Sequence, residues 1–401
     1  MDTAVEKQCR SDYYPALDGL RAVAVLLVFF HHYGVYSGQP LMTRWYDGGW
    51  IGVDLFFVLS GFLITGILYD SRQKSHALRG FYIRRILRIW PLYYGVIAVL
   101  ALNQPIMHWT LVWEHVLWPL HLGNYARFFM PAADPYLSDE LRANVGGRFI
   151  GLIVLMRVQL GHFWSLCVEE QFYLLWPLVV YRVGDRKRLI KVSLGVICCV
   201  PVIRLLCFQF ASANLLQLEL VYRSLFTRAD ALILGGLAAL LLRGPEREWI
   251  ERHRRTLVFA SVIPALTFGF YVIAGTTNRL LPPLQSRFAV TLGYTFLDLA
   301  AAGIILELIH PSSWLSKVFS LTWLRRLGVV SYGFYVFHDL PHQYYIGVSR
   351  RFLPHAGRPG LFAIAFTGTL TLTILSYHLY EKHFLRLKQK FAVNVPRAPQ
   401  I

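Results

Sequence analysis

The chain has 401 residues, of which 55% are hydrophobic, 15% aromatic and only 16% charged; soluble chains carry about 25% charge, so much of this one has lipid as its solvent. At roughly 20 apolar residues per crossing, that length holds about ten spans and no large soluble domain, which excludes a soluble enzyme on one anchor, a disordered chain and a disulfide scaffold. The net charge of +17 reads as topology and not as a nucleic-acid footprint, because Lys and Arg gather in the cytoplasmic loops of multi-pass proteins.

Apolar runs of spanning length occur at residues 17–36, 50–69, 86–102, 163–181, 190–211, 225–242, 257–274, 288–309, 327–348 and 360–380. The first carries Arg21 and lacks a small-residue cleavage site, so it reads as a retained span and not as a signal peptide. A shorter stretch at 109–123 holds Glu114, His115 and His121, which suits an interfacial or re-entrant helix better than a crossing. The five cysteines show neither metal-ligand spacing nor a disulfide framework. Residues 393–401, with Pro396 and Pro399, read as a disordered tail. The expected fold is all-α: a polytopic membrane helical bundle of about ten transmembrane helices plus one short re-entrant or interfacial helix. Residues 1–13 and 386–401 are expected to flank a membrane domain at 14–385.

Loop charge sets the parity. Residues 70–88 hold six Lys+Arg against one acid, and 182–191 hold five against one. Residues 243–255 hold five against three, whereas 104–162 hold four of each sign. With the basic loops in the cytoplasm, every assignment agrees when 109–123 does not cross, and both termini lie inside. Arg350, Arg351 and Arg358 run against the rule.

An ionisable residue within a span needs a partner or a function. The first span holds Arg21, His31 and His32. Eleven residues separate Arg21 from His32, a rotation of about 1100°, or roughly 20° past three turns, so the two share a helix face ~16 Å apart along the axis. Asp18 lies close to that face and His31 points off it. A neutral imidazole at mid-depth can take a proton from a hydroxyl, since its ordinary pKa is near 6.5. The plainer alternative is a histidine bonded to a neighbouring helix, and that is the reading given to His31.

The second span contains Gly52-Val53-Asp54-Leu55-Phe56-Phe57-Val58-Leu59-Ser60-Gly61-Phe62. Asp54 and Gly61 share a face with Ser60 beside it, which fits either close helix approach or a substrate contact. Tyr82-Ile83-Arg84-Arg85-Ile86-Leu87-Arg88 follows. Arg84 and Arg88 form one guanidinium face flanked by Arg85, suited to phosphates or to an ordinary cytoplasmic anchor. His162-Phe163-Trp164-Ser165-Leu166-Cys167-Val168-Glu169-Glu170-Gln171-Phe172-Tyr173 brings two carboxylates to the start of a span. Glu169 shares a face with Tyr173 and is a candidate to orient His32, to bind a sugar hydroxyl, or to partner Arg204 or Arg228. Glu170 points elsewhere. Ser331-Tyr332-Gly333-Phe334-Tyr335-Val336-Phe337-His338 places another histidine deep in a span.

These stretches, in this order, resemble the membrane O-acyltransferases of acyltransferase family 3. The family hallmark, Arg or Lys, ten residues, then His in the first span, is met by Arg21 and His32. Ala16-Leu17-Asp18-Gly19-Leu20-Arg21-Ala22 matches the family's opening, and Phe56 to Phe62 its second-span signature. Arg84 to Pro91 matches its arginine motif. Trp164-Ser165-Leu166 with Val168-Glu169 and Gln171-Phe172-Tyr173 matches the fifth-span signature, and Ser331-Tyr332 to His338 the late serine-tyrosine-histidine motif. The resemblance runs from Tyr14 to Phe384. Where the family ends its last span Glu-Lys-Pro-Phe, this chain has Glu381-Lys382-His383-Phe384, a change expected to alter the helix exit and not the chemistry. Some relatives carry a C-terminal hydrolase-like domain or an extra span, for which this chain is expected to be too short.

The resemblance implies a multi-pass protein of the bacterial cytoplasmic membrane. Its reaction would move an acyl group, commonly acetyl, from cytoplasmic acyl-CoA to a hydroxyl of a surface or exported glycan, or of a small molecule such as a macrolide. Acyl-CoA is then a donor substrate; no permanently bound cofactor and no metal are expected, and the other partners are the hydroxyl acceptor and membrane lipid. In that layout His32 is general base or acyl-accepting nucleophile, with Arg21 beside it and Glu169 on the acceptor or on His32. Arg84, Arg85, Arg88, Ser60 and Gly61 would meet the donor. Asp18, Asp54, Trp164, Tyr173 and His338 complete the candidates. A membrane transporter is the competing reading, because buried ionisable residues also line substrate paths, but the inverted repeats that would favour it are not found. Acceptor specificity is expected in the loops at 37–49 and 125–161. Their Trp45, Tyr46, Tyr125 and Tyr136 suit sugar stacking and equally an interfacial belt.

Overall fold

The computed structural model describes residues 13–33, 48–102, 116–129, 160–211, 221–275 and 287–391. Trp45, Tyr46, Glu114, His115 and Tyr136, and the tail at 393–401, lie outside them. Among the described residues there are helices and turns and no strand. In oil-like surroundings a helix satisfies its own backbone polar groups, and the apolar runs found in the sequence therefore become helices.

Helix α1 (Pro15–Tyr33) is followed by a 310 turn (Gly48–Trp50) that runs into α2 (Ile51–Ser71), then by α3 (Ala77–Leu102). Residues 116–129 form only turns and the 310 segment Gly123–Phe129, so the described part of the expected re-entrant stretch does not cross. After the 310 turn Gly161–Phe163 come α4 (Trp164–Val183), α5 (Arg186–Ala211), α6 (Leu225–Leu241) and α7 (Glu246–Gly275). A π turn at Ala289–Gly293 opens α8 (Tyr294–Leu308). The expected ninth span, 327–348, is not one helix. That region is built from the short helices α9 (Trp314–Phe319), α10 (Thr322–Val329), α11 (Ser331–Asp339) and α12 (His342–Phe352). Pro341 has no amide hydrogen to continue the ladder, which separates α11 from α12. Helix α13 (Gly357–Ser376) passes through a π turn (Tyr377–Glu381) into α14 (Lys382–Gln389), so helix runs beyond the expected domain end at 385.

Seven helices among the described residues are long and apolar enough to cross a membrane. Helix α4, which carries Glu169 and Glu170, is not among them.

Of these seven, α2, α6 and α8 are the most enclosed. Helix α2 lies tightly on α6: a Cβ at Gly61 would land on the Leu232 carbonyl, and one at Gly235 on that of Val58. Small residues let the backbones approach where lipid offers no hydrophobic drive for association. Gly328 does the same for α10 against the Asp18 carbonyl of α1. The same region holds two buried ion pairs. Arg228 of α6 pairs with Asp54 of α2, and its guanidinium lies 4.3 Å from the Tyr294 ring centroid. Arg204 of α5 reaches Asp230 at 2.7 Å, and Thr295 of α8 donates to the same carboxylate at 2.8 Å. A charge held this far from water survives only with a partner. These pairs therefore tie α2, α5, α6 and α8 into one body, against whose α2 face α1, α3, α4 and α11 close the cavities.

Candidate active site

Two adjoining cavities open between these helices. The outer one, of about 220 Å3, is lined by Arg21 of α1, by Arg84, Arg85 and Arg88 of α3, and by Lys388 of α14. Its one lining carboxylate, Asp18, accepts from Arg21 at 2.7 Å and from the Tyr13 hydroxyl at 2.6 Å. Five cations against one acid make a rim built for a polyanion, and guanidinium forks match phosphate oxygens in pairs. Arg84 also donates to the Phe391 carbonyl at 2.6 Å, which ties the segment after α14 to the rim. Lys388, Tyr13 and Tyr14, which share this lining, are absent from the motifs of the sequence. Nothing local marks them, because chain ends bring them in.

The inner cavity, of about 80 Å3, shares Arg21, Arg85 and Arg88 with the outer one and continues past Ser60, Glu169 and Tyr173 to Ser165 and Tyr335. Ser60 donates to Glu169 Oε1 at 2.7 Å, and Tyr173 donates to Oε2 at 3.0 Å. The Tyr173 ring carries the Arg85 guanidinium 4.9 Å from its centroid. Glu169 is thus held by hydroxyls within the cavity wall. The expected pairing with Arg204 or Arg228 is not formed, since Asp230 and Asp54 take those cations. Glu170 turns away to accept from Trp90 Nε1 at 3.0 Å.

At the inner end Tyr335 stands 2.6 Å from Ser165 Oγ and donates to the His162 carbonyl at 2.8 Å. Its ring lies 5.2 Å from that of His338, which is 4.8 Å from the ring of His32. His32 occupies the last turn of α1 and is half-buried. Its Nδ1 lies 2.9 Å from the Val28 carbonyl; a carbonyl only accepts, so Nδ1 carries the hydrogen and a neutral ring keeps its lone pair on Nε2. Arg21 and His32 therefore sit on one unbroken helix, at the rim and at the inner end respectively.

Other expected residues serve the fold. Gly61 is spent on the α2–α6 contact and Asp54 on Arg228. Trp164 packs at 6.0 Å from Phe57 and 4.8 Å from Tyr222. Tyr125, read as suited equally to sugar stacking or an interfacial belt, has its hydroxyl 3.1 Å from Ser224 Oγ.

Comparison with known proteins matches this arrangement to a family. The family model Acyl_transf_3, described as an acyltransferase domain, covers residues 14–378, and so takes in every element of both cavities except Tyr13 and Lys388. The chain belongs to acyltransferase family 3. Among its relatives, the peptidoglycan O-acetyltransferase OatA of Listeria monocytogenes is 32% identical over 339 residues, 81% of this chain and 49% of that protein. A putative peptidoglycan O-acetyltransferase of Bacillus subtilis, YrhL, is 30% identical over 385 residues, 92% of this chain and 54% of its own. A putative O-acetyltransferase of Staphylococcus aureus (strain COL) is 28% identical over 348 residues, with 83% and 52% covered. This acyltransferase family 3 chain spans about half the length of the curated relatives it matches. No solved structure matches it.

Proposed function

We propose that this chain is a membrane O-acyltransferase. It takes an acyl group, commonly acetyl, from acyl-CoA at the arginine rim and delivers it to a hydroxyl of a cell-envelope glycan arriving from the opposite side. The observation that carries this reading is the shared lining: Arg21, Arg85 and Arg88 belong to both cavities, so a phosphate-binding rim opens directly onto a polar shaft aimed at the histidines. The rim faces the cytoplasm of a bacterial cell, in keeping with its charge.

In this reading Arg84, Arg85, Arg88 and Lys388 hold the CoA phosphates, and the pantetheine arm passes Ser60, Glu169 and Tyr173. Tyr335 is the last side chain between the shaft and the histidines, its ring 5.2 Å from that of His338. His32 Nε2 takes the proton of the acceptor hydroxyl as its oxygen attacks the thioester carbonyl. The C–S bond then breaks, and the thiolate takes the proton from His32 to leave as CoA. General-base catalysis of this kind is worth about 10²–10⁴ in rate. Glu169 orients the acceptor or the thioester through its hydroxyl partners.

Purified protein in proteoliposomes with radiolabelled acetyl-CoA and a panel of muropeptides and chitooligosaccharides tests the reading. Label transfer that is abolished by His32→Ala at normal expression supports it. Transfer unchanged in that variant removes His32 from the mechanism, and uptake of glycan without labelling favours a transporter.

A further inference from the structure

His32 belongs to a group of four imidazoles and one carboxylate, brought together by four segments of the chain. The carboxylate is Asp339, the last residue of α11. Its Oδ2 lies 3.7 Å from His162 Nδ1, ahead of α4, and its Oδ1 lies 3.5 Å from His342 Nδ1, at the start of α12. The His338 ring, one residue before it, meets the rings of His32 at 4.8 Å and His162 at 4.9 Å. The titratable groups in electrical reach of Asp339 are His32 and Tyr33 from α1, His162, Tyr335 and His338 from α11, and His342.

Hydrogen bonding narrows the proton positions. His338 gives its Nδ1 hydrogen to the Tyr335 carbonyl, and His162 gives its Nε2 hydrogen to the Val336 carbonyl at 3.1 Å. Both rings are thereby fixed in orientation by the backbone of α11 itself. A neutral His162 then points a bare Nδ1 lone pair at the Asp339 carboxylate, an arrangement that improves when positive charge arrives nearby. General-base action at His32 delivers that charge.

We propose that Asp339 is a positioning residue for this reaction: it stays ionised through the cycle and holds the positive charge that His32 acquires when it removes the acceptor proton. The inference rests on the assignment of His32 as base. Asp339 itself takes no proton; the proton passes from hydroxyl to His32 Nε2 and on to the departing thiolate. A fixed anion already in place costs no reorganisation as charge develops, which is why such groups are effective in water-poor sites.

Full-length Asp339→Asn, Asp339→Glu and His32→Ala proteins in proteoliposomes provide the test, with initial rates against pH and radiolabelled acetyl-CoA as donor. A second readout needs no acceptor: the pH dependence of His32 modification by diethyl pyrocarbonate, followed by peptide mass spectrometry. Asp339→Asn is expected to lower kcat by about 10–100-fold with little change in donor KM. Without the anion, the acid limb of the rate and of His32 modification moves to lower pH by about one unit. Asp339→Glu restores most of both. Should Asp339→Asn fail to fold, Asp339→Ser removes the same charge with less bulk. An unmoved acid limb for His32 modification in a folded charge-removing variant overturns the inference. If His32→Ala abolishes transfer in that same experiment, the base assignment stands and only the role of Asp339 falls; if His32→Ala transfers normally, the base assignment falls first.

Discussion

Glu169→Gln tests whether the shaft works as built. Two hydroxyls point hydrogens at the Glu169 carboxylate, Ser60 at 2.7 Å and Tyr173 at 3.0 Å. Glutamine keeps the shape but turns one acceptor oxygen into an amide nitrogen that only donates, so one hydroxyl faces a donor. A hydrogen bond to a charged group is worth about 1.5–3 kcal/mol, and at 1.36 kcal/mol per factor of ten losing one costs about 10- to 150-fold. Arg85, resting on the Tyr173 ring, loses its nearby counter-charge at the same time. The assay is steady-state transfer from acetyl-CoA in proteoliposomes, with kcat and KM separated and folding checked by thermal melting. The melting temperature should fall, and the loss in kcat/KM should persist in the folded fraction. Tyr173→Phe removes one hydroxyl without touching the charge and should cost less. Glu169→Gln within about twofold of the parent would refute the claim that this hydrogen-bonded carboxylate handles substrate.

Two further substitutions separate the binding rim from the packing beside it. Lys388→Gln should raise the KM for acetyl-CoA about three- to tenfold with kcat unchanged, and the gap should narrow at high salt, because a rim cation acts mainly through screened attraction; kinetics at low and high ionic strength check this. Gly61→Ala should destabilise the bundle by about 1–3 kcal/mol, since the added methyl meets a backbone carbonyl, while the folded fraction keeps its donor KM. A raised KM with an unchanged melting temperature would return Gly61 to the donor site.

Much of the site was legible because its residues sit on helices in short, regular motifs. Arg21, Arg85, Arg88, Ser60, Glu169 and Tyr173 are scattered over four helices, and all reach the inner cavity. Helical spacing also put Arg21 and His32 on one face, and α1 is a single helix through both. What the sequence hid was pairing at a distance. Asp54 and Asp230 answer Arg228 and Arg204, and no local pattern says which buried acid takes which buried base. Gly61 looks the same whether it admits a substrate or a neighbouring backbone; only the position of Leu232 decides. The stretch at 327–348 is apolar enough to read as one span, yet the turn at Val330 and Pro341 cut it into pieces. Asp339 and His342 are three apart and pair locally, but the approach of His162 to Asp339 joins distant segments, which no local pattern shows.

In the proposed reaction, helix α1 sets the spacing between the rim and the base. Its rim end is fixed by Asp18, which accepts from both Arg21 and Tyr13, and its inner end by the Val28 carbonyl, which orients His32. Between them the helix is packed by buried side chains such as Val25, Val28 and Phe29, and close-packed interiors do not stretch. Eleven residues at 1.5 Å set roughly 16 Å along the axis between the backbone positions of Arg21 and His32. In the proposed reaction, a donor whose phosphates are held at the rim reaches toward His32 with a thioester on a flexible arm, so the rigid part of the arrangement is the protein's, not the substrate's. One residue more between Arg21 and His32 would turn the ring by about 100°, away from His338 and the Asp339 carboxylate, while leaving every rim contact in place.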